Sequence, residues 1–410
     1  MSCLTNVDAF QSSFYHICAL NLTTHLIKLP HSKKEQPMRH SASTLFLLLI
    51  IAFSVQAQKK RETTFFTQID ISQGDVLKTN DFVSGINKKG FPINDFSSAD
   101  IKLGWQTNGS KQWHHDLNLP YYGLGIQSTK FSLEEEIGYP TAVYFFFGGP
   151  FVKQQKYSFD YEFGFGISYN WKPYNKIDNP FNIAIGSHHN AYIDLRMAYS
   201  RYLSPEMRFI AGIHVTHFSN GAVRFPNKGM NMIAPFVGLR YHFKAPQELA
   251  PTDIPKPLPS HEINLLYSTG KRSCDEIDDM NKYHFSLHNL SFEYLKVPSP
   301  IFRYGLGFDL SIDQHNFIEI DGNTVHKAPF RKQIVGGLTA LGQFRANRLA
   351  IHAALGYELF GHEHNRLIKR LYQRLGLRVY TYKNMFLGVH IKAQNFSAAD
   401  YIEWAIGFTI

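Results

Sequence analysis

YSFDYEFGFGISY, residues 157–169, decides the fold class. Each odd-numbered residue of this stretch is aromatic or aliphatic, and each even-numbered residue is small or polar. Because successive side chains of a β-strand point to opposite faces, the alternation predicts a long strand with one apolar face and one polar face.

Similar alternation recurs along the chain from Thr63 onward, for example in Ile301–Ile312 and Arg348–Phe360. Segments of about 9–15 residues are separated by clusters rich in Gly, Asn, Asp, Pro and Lys, as in a barrel of membrane-spanning strands. The high aromatic content of 15% suits the aromatic girdles of such a barrel. The pattern therefore predicts an all-β, antiparallel transmembrane β-barrel. The alternative is a soluble β-sandwich or lipocalin-like barrel, in which strands are shorter and the apolar side faces the core.

The N-terminal region is typical of a targeting segment. Met38–His40 is basic, Leu45–Phe53 is apolar, and Val55-Gln56-Ala57 offers small residues for cleavage before Gln58. We therefore expect a non-mature leader over residues 1–57, with a signal peptide at 38–57 and Met38 as the true start. A long, unusual leader is the alternative. The apolar run is too short to span a bilayer, and no later stretch has 18 consecutive apolar residues.

A proline-rich stretch divides the exported part of the chain. Residues 244–260 read KAPQELAPTDIPKPLPS, and proline cannot donate to a β-ladder, so a linker is predicted here. About eight strand candidates precede it in residues 58–243, and about eight follow it in 261–410. These numbers predict two tandem eight-stranded barrels, with one larger barrel as the alternative. Met207–Val215 also resembles Met385–Ile391, which suggests an ancient duplication.

The charge balance limits the classes of partner. The chain has 42 Lys and Arg against 33 Asp and Glu, a net charge of +9, which favours anionic partners such as phosphorylated lipid headgroups. No run of five to eight Lys and Arg residues is present, so we expect no nucleic-acid partner.

The segment with chemical potential is THFSNGAVRFPNKGMN, residues 216–231. His217 and Ser219 are two apart and would share one face of a strand. A neutral imidazole can take the proton of a neighbouring hydroxyl and so make the serine a nucleophile toward an ester carbonyl. Asn220 and the backbone of Gly221 could supply oxyanion donors. The alternative is an ordinary polar turn at the end of a strand.

The parity of the flanking strands indicates which face carries these groups. The odd-numbered residues of 209–215 are apolar, and so are the odd-numbered residues that follow Asn231. His217 and Ser219 are odd-numbered too, so they share the apolar face of their strand. If the two segments pair as a hairpin, the three residues lie together on a lipid-facing surface. Polar side chains that face hydrocarbon are costly, and action on a membrane lipid would account for them.

At these residues the chain resembles a known family. His217-x-Ser219-Asn220-Gly221 and Pro226-Asn227-x-Gly229 resemble the motif of the lipid A deacylase (acyloxyacyl hydrolase) family of outer-membrane β-barrels, over roughly residues 63–243. Ile137–Pro140 and Ile185–Ser187 are also similar to that family. The resemblance implies an eight-stranded barrel in the bacterial outer membrane that removes ester-linked acyl chains from lipid A. It implies His217 as base and Ser219 as nucleophile, with Asn220 and Asn227 at the oxyanion hole, and no cofactor.

One position departs from the family pattern. The family's acidic third member corresponds to Asn231, whose amide can orient a histidine but cannot stabilise imidazolium with a negative charge. A Ser-His-Asn set is also similar to outer-membrane phospholipase A, which places Ser-Asn-Gly after its histidine and uses calcium. The chain is thus expected to be a lipid ester hydrolase, with a phospholipase A or a catalytically silent structural barrel as alternatives.

The second half lacks the motif. Lys392–Ser397 stands where the His-x-Ser would fall, so this half is expected to be structural or to hold a partner. His362-Glu363-His364 could in principle ligate a metal, but its polar neighbours favour an exposed turn, and no metal site is predicted.

Overall fold

The computed structural model describes most of residues 63–410. The predicted leader, the centre of the proline-rich linker and the segment His362-Glu363-His364 lie outside the described residues. The described ranges are 63–250, 259–273, 283–321, 324–361, 370–382, 384–394 and 398–410.

The first barrel closes from eight antiparallel strands in chain order. The last strand pairs with the first, so that Leu239 lies opposite Ile69. Closure leaves no strand edge without a hydrogen-bonding partner, as a hydrocarbon environment requires. The strands are β1 (Thr63–Leu77), β2 (Asp95–Thr107), β3 (Tyr121–Phe131), β4 (Gly138–Lys153), β5 (Tyr157–Trp171), β6 (Asn190–Tyr202), β7 (Met207–Ser219) and β8 (Met230–His242).

The second barrel also closes from eight antiparallel strands, and Ile406 of its last strand pairs with Tyr267 of its first. A two-stranded hairpin, β12 and β13, lies in the connection between the third and fourth strands of this barrel. The elements are β9 (His261–Ser273), β10 (His284–Lys296), β11 (Phe302–Asp313), β12 (Glu319–Asp321), β13 (Thr324–His326), β14 (Ile334–Ala346), β15 (Leu349–Phe360), β16 (Leu371–Tyr380), β17 (Met385–Gln394) and β18 (Ala398–Thr409).

The helices are single turns in the connections between strands. Within the described ranges, none has the length and apolar character of a membrane-spanning helix. They are α1 (Asp81–Ser84), α2 (Gln112–Asp116), α3 (Glu134–Ile137) and α4 (Phe330–Gln333).

The two closures confirm the predicted pair of tandem eight-stranded barrels, and the single larger barrel is wrong. The described part of the linker, 244–250 and 259–260, contains no strand. The similar stretches Met207–Val215 and Met385–Ile391 lie in β7 and β17, which are the seventh strands of their respective barrels.

The apolar face of each strand points outward. On β5, Phe159 and Ile167 are exposed, whereas Asp160 and Ser168 are buried in the lumen. A soluble barrel would place its apolar side inside, so the soluble alternative is wrong and the membrane-barrel prediction is confirmed.

Buried ion pairs fill the middle of both lumens. In the first barrel, the Arg196 guanidinium lies 2.8 Å from an Asp70 oxygen and 2.6 Å from an Asp100 oxygen. In the second, Arg378 lies 2.7 Å from Glu293. Pairing compensates the cost of removing these charges from water, which explains how the polar face of each strand can be buried in the lumen.

Candidate active site

The β7–β8 hairpin brings the three predicted catalytic residues together. β7 ends at Ser219 and β8 begins at Met230, and His217 is the direct cross-strand partner of Asn231. β7 and β8 therefore pair as the predicted hairpin. Directly opposed residues project from the same face, so His217 and Asn231 share one face.

Hydrogen bonds link the three side chains in series. The His217 Nδ1 atom lies 2.7 Å from the amide oxygen of Asn231, and His217 Nε2 lies 2.9 Å from Ser219 Oγ. An amide oxygen can only accept, so in this arrangement Nδ1 carries the proton and donates it to Asn231. His217 Nε2 then has a free lone pair and accepts the hydroxyl proton of Ser219, as a general base must.

These groups lie on the outer wall. His217 shares parity with Ile213, which is 56% exposed, and with Val215, which is also exposed. His217 is half-buried, and Ser219 retains 4% of its accessible surface. Ser219 is thus buried, while His217 stays partly exposed on the outward-facing side of β7.

Aromatic side chains close the lumen beneath the pair. The Phe218 ring lies 4.9 Å from the Trp171 ring and 5.4 Å from the Tyr192 ring, and all three residues are buried. The interior of the barrel is therefore packed with aromatic rings on the inner side of β7, beneath His217 and Ser219.

The loop after β1 supports the site from a second direction. Asn231 Nδ2 donates to Thr79 Oγ at 3.0 Å, which keeps the amide oxygen of Asn231 turned toward His217. Asn80 Nδ2 donates to the Gly229 carbonyl at 2.9 Å, while Asn80 Oδ1 caps α1 by accepting from Val83 N–H. Sequence reasoning did not single out Thr79 or Asn80, because nothing local links them to residues 150 positions away.

Gly229 lies against the imidazole. Its φ is +72°, and a Cβ at this position would be 3.0 Å from His217 Cε1 and 3.1 Å from the Phe218 carbonyl oxygen. Only glycine combines this backbone conformation with the available space.

The predicted oxyanion residues lie in one loop, residues 220–229. The Asn220 backbone N–H donates to Asn227 Oδ1 at 2.9 Å, and Asn220 Nδ2 donates to the Arg224 carbonyl at 2.7 Å. Asn220 is thus engaged in shaping the loop. Gly221 follows with a φ of +62°. Asn227 uses its Oδ1 atom in the contact with Asn220, so its Nδ2 donor takes no part in that contact.

A neighbouring loop fixes the far end of this segment. Lys228 N–H donates to the Ile183 carbonyl at 3.1 Å, and Gly229 N–H donates to the Ala184 carbonyl at 2.9 Å. A Cβ on Gly186 would lie 2.3 Å from the Pro226 carbonyl oxygen, so these backbones approach closely. The stretch Ile185–Ser187, noted above for its resemblance, therefore packs on the loop that follows Ser219.

Comparison with known proteins bears on both barrels. Residues 99–240 match the family described as lipid A 3-O-deacylase (PagL), and residues 261–410 match the family described as acyloxyacyl hydrolase, C-terminal domain. The two matches together cover most of the chain. The chain belongs to the lipid A deacylase family. No curated protein matches the sequence.

Solved structures similar to this lipid A deacylase-family protein include other barrels. Neisserial surface protein A (NspA) is 13% identical, with a TM-score of 0.29, over 44% of this chain and 97% of its own. The alcaligin outer-membrane receptor FauA from Bordetella pertussis is 8% identical, with a TM-score of 0.25, over 85% of this chain and 76% of its own.

The second barrel of this family member carries no counterpart of the hydrogen-bonded set in its described residues. Asn395–Ser397, at the end of its seventh strand, lie outside them. Across the described part of both barrels, no group of three or more His, Cys, Asp or Glu side chains could hold a metal ion.

Proposed function

We propose that this protein is an outer-membrane serine esterase that removes ester-linked acyl chains from lipid A or a related lipid. The observation that carries the proposal is the chain of hydrogen bonds from Asn231 through His217 to Ser219 on the outer wall of the first barrel. Family membership supports the lipid A substrate.

The residues suggest an acyl-transfer sequence. Ser219 Oγ attacks the ester carbonyl while its proton passes to His217 Nε2, and the carbonyl oxygen becomes an oxyanion. The C–O bond then breaks, and the lipid hydroxyl leaves with the proton from His217. A water molecule, deprotonated by His217, attacks the acyl-serine, and the fatty acid is released with Ser219 restored.

Donors in the 220–229 loop would stabilise the oxyanion. We assign this role to the Gly221 backbone N–H and Asn227 Nδ2, since the Asn220 donors already hold the loop together. Asn231 would act as a positioning residue: its amide oxygen keeps the proton on His217 Nδ1, but it adds no charge to stabilise imidazolium.

The location of the site agrees with export to the outer leaflet. Three of the four connections at the end of the barrel that carries the site are long, 78–94, 172–189 and 220–229, whereas two of the three at the other end, 154–156 and 203–206, are short and the third, 108–120, holds α2. Bacterial outer-membrane barrels have long extracellular loops and short periplasmic turns. The signal peptide proposed at 38–57 would direct the chain across the inner membrane.

The test is hydrolysis by the folded full chain in detergent micelles, with lipid A as substrate and released fatty acid measured by mass spectrometry. Wild-type protein should release fatty acid, and Ser219→Ala should abolish release. Ser128→Ala, which changes an exposed outward-facing serine on β3, should keep full activity. Equal release by Ser219→Ala and wild type would refute the assignment.

Asn231 favours a second candidate, a phospholipase A-like lipase with a Ser-His-Asn set. That function predicts hydrolysis of plain phospholipid vesicles and loss of activity when calcium is chelated. Calcium-independent release from lipid A would exclude it. A fluorophosphonate probe that labels wild type but not Ser219→Ala would exclude the third reading, a silent barrel.

A further inference from the structure

The two barrels meet along a seam between their outer walls, and residues 60–410 form one compact unit. Apolar side chains from β4 and β5 pack there against side chains from β14, β15 and β16. The residues in contact include Phe145, Phe147 and Phe163 of the first barrel and Phe344, Ala346, Leu349, Ile351 and Leu377 of the second.

The seam continues to the end of the molecule that carries the site. Ser273 Oγ, at the end of β9, donates to the Val223 carbonyl at 2.8 Å and lies 3.1 Å from His284 Nδ1. A Cβ on Gly221 would lie 2.4 Å from Cγ1 of Ile402 on β18. The loop between β7 and β8 therefore touches β9 and β18 of the second barrel directly.

We infer that the second barrel is a positioning element of the esterase site, and that it holds the loop 220–229 in the geometry that oxyanion stabilisation needs. This inference rests on the proposed function. Ser273 and Ile402 act through the loop and touch no reacting atom, so they are positioning residues. The second barrel, which lacks the His-x-Ser motif, thereby has a role in the reaction.

The loop has a physical need for this support. Gly221 and Ala222 both have positive φ, at +62° and +60°, a conformation that is unfavourable for alanine and persists only where neighbours hold it. Asn220 and Asn227 hold the loop internally, while the second barrel supplies a hydrogen bond at Val223 and an apolar wall at Gly221. Small displacements of oxyanion donors are costly to the rate.

The first experiment removes the hydrogen bond from Ser273 Oγ to the Val223 carbonyl. Ser273→Ala in the full chain should lower kcat for lipid A hydrolysis by about tenfold with little change in KM. Ser273→Thr, which keeps the hydroxyl, should restore most of the rate. Ser260→Ala is the control: Ser260 Oγ lies 2.8 Å from His261 Nδ1, as Ser273 Oγ lies 3.1 Å from His284 Nδ1, but it is at the opposite end of the second barrel.

The second experiment tests the apolar wall by suppression. Gly221→Ala should lower kcat strongly because its methyl group would overlap Ile402, although the neighbouring Ala222 shows that this loop tolerates alanine at positive φ. Ile402→Ala should recover part of the activity lost in Gly221→Ala. Leu306→Ala, on the outer wall of β11, should recover none. Electrophoretic mobility without heating confirms that each variant is folded.

The outcomes separate the two proposals. If wild type releases no fatty acid, or Ser219→Ala still does, the proposed function fails. If wild type is active but Ser273→Ala matches Ser260→Ala, and Ile402→Ala gives no recovery, the role of the second barrel alone is overturned. A fall in kcat for Ser273→Ala that Ser273→Thr reverses supports it.

Discussion

The imidazole of His217 and the amide of Asn231 are cross-strand partners joined by a 2.7 Å hydrogen bond. The bond leaves His217 Nε2 as an acceptor 2.9 Å from Ser219 Oγ. Asn231 gives the geometry of a catalytic triad of serine, histidine and acid, but it lacks the negative charge of the acid. The chemical consequences of that difference can be measured.

Asn231→Asp should raise kcat for ester hydrolysis by about tenfold, because a carboxylate of similar length would stabilise the imidazolium that forms when Ser219 loses its proton. In the proposed mechanism the neutral imidazole is the active base, and a nearby negative charge favours its protonated form. The acidic limb of the pH–rate profile should therefore move to higher pH. Asn231→Ala should lose activity, and an unchanged profile in Asn231→Asp would contradict the proposed role of Asn231.

Gly229→Ala should reduce activity by roughly 100-fold, because the added methyl group would lie 3.0 Å from His217 Cε1 and displace the base. Gly90→Ala is a matched control: Gly90 has a similar φ of +68°, but a Cβ there would meet nothing within 4 Å. Both substitutions carry the same backbone cost. Equal activities of the two variants would show that the contact with His217 does not matter.

Leu195→Arg should destabilise the barrel by about 2–4 kcal/mol in lipid, because residue 195 lies mid-strand on the outer wall of β6. Leu203→Arg should cost about 0–1 kcal/mol, since residue 203 follows the last residue of β6 and lies near the interface. The two leucines are similarly exposed, at 53% and 57%, so depth in the membrane is the variable. Reversible urea unfolding in lipid vesicles measures both, and equal costs would contradict the assigned depths of the two residues in the membrane.

Much of the fold could be predicted because a strand's two faces are encoded locally. The alternation in residues 157–169 predicts both the strand and its apolar face, and the exported context predicts that this face is outside. The proline-rich stretch predicts where one barrel ends, since proline interrupts hydrogen-bonded pairing. The structure confirms the strand and the outward position of its apolar face.

The site could be predicted only in part. His217 and Ser219 are two residues apart, so one strand fixes their common face, and hairpin pairing adds Asn231. Thr79 and Asn80 could not be predicted from the sequence, because only barrel closure, which pairs β1 with β8, brings them to Asn231 and Gly229. Their amide and hydroxyl groups are unremarkable in the sequence.

The sequence by itself determined the strand pattern, the two halves and the face on which His217 and Ser219 lie, because a period of two residues requires only local backbone geometry. Tertiary structure alone decided that each half closes on itself and that Thr79 supports Asn231. It also decided that Ser273 and Ile402 of the second barrel reach the loop after Ser219. These contacts join residues that are 50 or more positions apart, and only the closure, tilt and packing of whole barrels bring such residues within hydrogen-bonding distance.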